Sequence, residues 1–140
     1  MSAIPTDSRV FLDTNILLYA ITEHPRFGPW CDALLDRIQR GELLGYVSVV
    51  VLNELLHRLV IGEVAQRANL KPGQVAEYLK RHRDALKTLE AYEVVAEVEG
   101  SYGLTILEVS AETFKTARRL MQLYRLLSND ALHLAAMQEV

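Results

Sequence analysis

The sequence predicts an α/β fold in which a short, mainly parallel central sheet is flanked by helices in three layers. Two observations carry this. Apolar runs of strand length recur at Arg9–Asp13, Leu44–Ser48 and Leu104–Val109, and longer stretches with helical spacing separate them. Strands alternating with helices imply parallel pairing, with helices covering both faces of the sheet. No repeat, linker or low-complexity tract divides the chain, so residues 1–140 are expected to form one domain. In such sheets ligands sit beyond the carboxyl ends of the strands.

Taken in order, RVFLD (Arg9–Asp13) is expected to be a buried strand with Asp13 as its last residue. Asn15–Ile21 is apolar on every side and reads as a buried helix. His24–Pro29 holds two prolines and a glycine and reads as a loop. Trp30–Arg40 is helical, with Trp30, Leu34, Leu35 and Ile38 on one face and Gly41 placed to end it. Leu44–Ser48 is the second strand. Val49–Arg67 is a helix with an interruption expected near Gly62, and Leu70–Gly73 is a break. Gln74–Tyr92 reads as one amphipathic helix through Val75, Leu79, His82, Leu86 and Leu89. After a turn at Glu99–Gly103 comes the third strand. Ala111–Arg125 is a helix expected to turn Phe114, Ala117, Met121 and Tyr124 inward, and Ser128–Val140 forms the last helix.

The bulk numbers narrow the function. Half the residues are apolar and 24% are charged, an ordinary globular balance. The net charge of −3 argues against a nucleic-acid binder held by bulk positive charge. One cysteine, Cys31, allows neither an internal disulfide nor a cysteine-rich zinc site. No secretory signal pattern or membrane-length apolar run is visible, so a cytoplasmic protein without a membrane partner is expected.

Three carboxylates stand out. Asp13 follows an apolar strand, where it could cap the next helix or point into a site. Thr14 and Asn15 follow it and could hold a carboxylate or satisfy the helix start. Glu54 follows Val49, Val50, Val51 and Leu52 on a helix. A carboxylate against that surface is costly unless paired or bound to a cation, although Arg58 is available as an i,i+4 partner. Asp130 stands at the start of the last helix, where the dipole alone would favour it. Together, on separate elements, the three suit a hard cation with oxygen ligands.

VFLDTNILLYA (Val10–Ala20), SVVVLNELLHRL (Ser48–Leu59) and LSNDALHLAAM (Leu127–Met137) resemble, in order, the acidic motifs of the PIN-domain family. The similarity is in particular to toxin ribonucleases of the VapC type. It implies hydrolysis of RNA phosphodiesters to a 5′-phosphate and a 3′-hydroxyl. Asp13, Glu54 and Asp130 would be the catalytic residues holding Mg²⁺ or Mn²⁺, with Thr14 and Asn15 in support. It also implies a small antitoxin partner, and a homodimer fits the amphipathic helices. Family members usually continue into a further strand and a fourth acid, so that strand is expected to be missing here. Glu139 is a poor substitute, about half a turn round from Asp130 and roughly 13 Å along the axis.

Two other readings compete. Glu54-x-x-His57 and Asp130-x-x-His133 are carboxylate-x-x-His pairs of the kind found in di-iron helical bundles, although the apparent strands do not belong in a bundle. A PIN-like scaffold with an incomplete site could instead be a binding module. Lys80, Arg83 and Lys87 form one basic stripe and Arg118 with Arg119 another, both read as solvated faces.

Overall fold

Three parallel strands lie in the order β1-β2-β3 at the centre of the computed structural model, which describes residues 3–140. The first two residues of the expected domain, Met1 and Ser2, lie outside the described residues. The elements are β1 (Arg9–Phe11), α1 (Thr14–Ile21), α2 (Gly28–Gln39), β2 (Leu44–Ser48), α3 (Val49–Arg67), α4 (Val75–Arg81), α5 (Ala91–Ser101), β3 (Thr105–Leu107), α6 (Ala111–Tyr124) and α7 (Ser128–Met137). Short 3-10 turns cover Pro72–Gln74 and Arg83–Thr88. Phe11 pairs with Tyr46, and Ser48 pairs with Leu107.

The central strand is the most deeply covered. Val47 and Ser48 are buried, and the main core joins Leu12, Leu17, Leu35, Val51, Leu55 and Val98 from both sides of the chain's midpoint. Gly45 is needed here. A Cβ at this position would come within 2.7 Å of Ile38 and 2.8 Å of Leu104, so a side chain would push α2 and the entry to β3 away from the sheet. A second cluster forms around Val64, Ala65, Val75, Leu89 and Ala91. A third lies between α6 and α7, around Ala117, Leu120, Ala131 and Ala135.

Several sequence expectations are corrected. Strand β1 ends at Phe11, so Asp13 is the residue that begins α1 rather than the strand's last. Helix α2 starts inside the expected loop, because Pro29 in its first turn needs no hydrogen bond there. Trp30 is 60% exposed, and Cys31 takes the inward position. Helix α3 runs unbroken through Gly62, a single glycine that costs a helix about 1 kcal/mol without ending it.

The expected 74–92 helix is not continuous. It stops at His82 (φ −130°, ψ 55°), whose ring stacks on Tyr78 at 4.2 Å. The cause is tertiary. Val75 and Leu89 must both enter the second cluster, and the Glu63 carboxylate accepts the backbone N–H groups of Glu90 (2.8 Å) and Ala91 (3.0 Å). That cap starts α5 afresh, and α5 then runs to Ser101, over the expected turn. Glu63 also pairs with Arg67 at 2.6 Å. Glu63→Ala is expected to cost about 1–3 kcal/mol, since two N–H groups and a guanidinium lose their acceptor. Urea unfolding measures this, with the exposed Lys80→Ala as a control that should move less than about 0.5 kcal/mol.

Helix α6 is rotated from the expected face. Thr113, Ala117 and Leu120 are buried, while Phe114, Met121 and Tyr124 are exposed. One residue of offset turns a helix by about 100°. The turn is fixed at the N-terminus: Ser110 and Thr113 form a capping box, and Thr113 Oγ1 donates to Glu139 Oε1 at 2.6 Å. The last helix ends at Met137.

Candidate active site

The carboxyl end of β1 leads directly into the site. Leu12 extends the ladder by donating its N–H to the Tyr46 carbonyl at 2.8 Å, and Asp13 then turns into α1. Asp13 has the backbone of an N-cap (φ −81°, ψ 160°), yet its side chain makes no cap hydrogen bond. The capping explanation therefore does not hold, and the exposed carboxylate is left for another use.

Thr14 is 1% exposed, and its hydroxyl donates to Glu54 Oε2 at 3.1 Å. This bond ties the start of α1 to the second turn of α3. The position of Glu54 follows from the β2–α3 junction, which has no loop. Ser48 is both the last strand residue and the N-cap of α3, its Oγ accepting from Val51 N at 3.2 Å. The helix therefore begins at the strand's carboxyl end and carries Glu54 alongside Thr14.

Arg58 does not pair with Glu54, as the bland reading would have it. Its guanidinium instead donates to Asn15 Oδ1 at 2.7 Å. Thr14 and Asn15 thus both fasten α1 to α3, one through the carboxylate and one through the arginine. Only Thr14 touches an acid directly.

The third segment arrives from α7. Asp130 is the third residue of that helix, exposed and with no side-chain partner among the described residues. One turn further on, His133 Nε2 stands 4.0 Å from Glu54 Oε2, and its ring lies 6.1 Å from that of Phe11. His133 Nδ1 is buried without a partner. The sequence pointed to His133 only through its spacing after Asp130, and the structure places it beside Glu54. His57, from the other carboxylate-x-x-His pair, is exposed and lines a surface hollow with Leu18, Ile61 and Pro72. The parallel sheet rules out the di-iron bundle. Glu139 is engaged with Thr113, in keeping with its being a poor fourth acid.

Thr14 and His133 bring Glu54 next to the segments bearing Asp13 and Asp130. Among the described residues, however, no three His, Cys, Asp or Glu side chains are close enough together to hold a metal ion. The donor chemistry still suits Mg²⁺. All three groups are carboxylates, two have no protein partner, and this ion binds through one or two carboxylates while keeping several waters. A cysteine nucleophile is excluded: burial, with Asp32 beside it, pushes the Cys31 thiol up, and Cys31 lies in the core. Elsewhere, hydrogen bonds from Arg40 and Arg37 hold the Glu42 carboxyl below its usual range.

Residues 10–140 match the family model of the PIN domain, and the chain belongs to that family. It is similar to Ribonuclease VapC2 of Methanocaldococcus jannaschii, with 26% identity over 127 residues, 90% of this chain and 74% of the relative. Among solved structures it is similar to a chain of VapBC2 from Rickettsia felis bound to a DNA fragment from their promoter. That likeness has a TM-score of 0.51 and 19% identity, covers 92% of this chain and 79% of that one, and bears on the fold.

Proposed function

We propose that this protein is a metal-dependent endoribonuclease of the VapC type, the toxin of a toxin–antitoxin pair, acting through Asp13, Glu54 and Asp130. The observation that carries this is the Thr14–Glu54 bond, which ties a half-buried carboxylate to the residue that follows Asp13, an N-cap whose own side chain makes no cap hydrogen bond. Family membership and the similarity to a VapC ribonuclease support it. An antitoxin partner, a homodimer and a cytoplasmic location belong to the same reading. No helix among the described residues is long and apolar enough to cross a membrane.

Each residue has a task. Asp13 and Asp130 offer carboxylates to the metal at the ends of two helices. Glu54 is the third, held in orientation by the Thr14 hydroxyl. The Arg58–Asn15 hydrogen bond adds a second tie between α1 and α3, the helices that carry Asp13 and Glu54. His133 closes the inner wall between Glu54 and Phe11. A bound Mg²⁺ or Mn²⁺ supplies the charge that activates water and offsets the charge developing on the phosphoryl oxygens.

The test is incubation of the purified chain with end-labelled RNA in Mg²⁺, in Mn²⁺ and in chelator. Cleavage to 5′-phosphate ends with metal, and none with chelator, is expected. Failure to cleave with either metal would favour the second reading, a PIN-like binding module.

A further inference from the structure

We infer that Arg58 is a substrate-binding residue of the acidic site, its guanidinium taking the RNA phosphate next to the scissile one. This rests on the ribonuclease reading, which supplies the phosphate.

The starting observation is an ion pair that the helix offers and does not make. Glu54 and Arg58 stand at i and i+4 on α3, in the favoured order of acid before base and about 5–6 Å apart at Cβ by helix geometry. Arg37 and Arg40 take the carboxylate of Glu42, and Arg67 takes that of Glu63. Arg58 instead donates to the neutral side-chain oxygen of Asn15 at 2.7 Å, while Glu54 accepts from the Thr14 hydroxyl at 3.1 Å. Consecutive residues of α1 thus hold the acid and the base apart, and neither neutralises the other.

Being unpaired does not single Arg58 out, since the exposed Arg81 and Arg83 also have no carboxylate partner among the described residues. Its place does. Arg58 belongs to the third turn of α3, yet its guanidinium reaches the first turn of α1, at the residue next but one to Asp13. It is thereby the cation fastened beside Asp13 and Glu54. One nitrogen, Nη1, is occupied by Asn15. The Nη2 and Nε edge is left, and that fork matches two oxygens of one phosphate. There is room for the ligand. Along the α1–α3 seam a hollow of about 340 Å³ opens beside Arg58, over Gly62, where an added Cβ would meet nothing. Its far end carries Glu63 and Glu90, so the Arg58 end is the one that suits a phosphate.

The experiment is steady-state cleavage of an unstructured RNA by the full chain with Mg²⁺ over a range of salt, beside fluorescence anisotropy of the same RNA in chelator. Arg58→Ala is expected to raise KM roughly tenfold with kcat nearly unchanged, the mark of a contact made equally in ground and transition states. The slope of log(kcat/KM), and of log K in chelator, against log salt should fall by about 0.7, one phosphate contact on a single strand. Arg58→Lys should restore the slope and only part of the KM, because a point charge replaces a fork. Asn15→Ala should raise KM while the slope stays, since the charge remains and only its anchor is lost. Arg81→Ala with Arg83→Ala should change neither. Unchanged KM and slope in Arg58→Ala would overturn the proposal. So would equal losses of kcat and of the urea midpoint in Arg58→Ala and Asn15→Ala with the slope intact, which would make the pair a structural tie alone. No cleavage by the wild type in either metal, with a chelator slope that still falls in Arg58→Ala, would sink the nuclease reading and leave Arg58 as a phosphate contact.

Discussion

Asp13→Asn is expected to lower metal-dependent RNA cleavage by at least about 10²-fold while leaving stability within about 0.5 kcal/mol. The activity loss follows from charge. Substitutions one shell away from a metal typically cost 10–100-fold, and removing a direct ligand's charge should cost no less. The near-constant stability follows from the structure. The Asp13 side chain makes no cap bond, only its backbone carbonyl is used, and Asn occupies almost the same volume. Activity and urea unfolding measured on one preparation separate the two effects. Full activity in the variant would remove Asp13 from the site. Lost activity accompanied by a large loss of stability would mean that Asp13 is a structural residue.

The second large effect is on stability. Leu55→Ala is expected to cost about 2–5 kcal/mol, a substantial part of the total for a domain of this size. Leu55 is fully buried in the main core and follows Glu54 on α3. The cost should be near the upper end if α3, clamped by the Ser48 cap and by Arg58–Asn15, cannot move to fill the void. Thermal and urea unfolding give the number. At low temperature, where the variant stays folded, cleavage should be nearly unchanged. A variant that is stable but inactive would mean that Leu55 supports Glu54 directly and not through the fold.

Much of this architecture was legible in the sequence. The three strands were found because each reads as a short continuous apolar run, and Leu44–Ser48, the most buried of them, was placed to the residue. What escaped was set by contacts distant in sequence. The break at His82 depends on Glu63 capping Glu90 and Ala91, 27 and 28 residues away, and no local pattern announces it. The face of α6 was misread because two faces of that helix carry apolar residues, and the choice is made by Thr113 reaching Glu139. For the proposed site, Asp13 and Asp130 stood out at element boundaries, and Glu54 stood out as a carboxylate among apolar residues of a helix. The true partner of Arg58 was not, because an i,i+4 neighbour within the helix looked sufficient while Asn15 lies 43 residues earlier. His133 was seen only through its spacing after Asp130, since its contacts with Glu54 and Phe11 cross most of the chain.

That long reach bears on when the protein becomes active as it is made. Asp13 and Thr14 emerge early from a ribosome and Glu54 follows, but the segment with Asp130 and His133 comes last. Helices α6 and α7 keep a cluster of their own, and α7 meets the main core through His133 beside Glu54 and Phe11. If the acids act as proposed, the chemistry therefore waits on the docking of α7 against α3, where His133 lies beside Glu54.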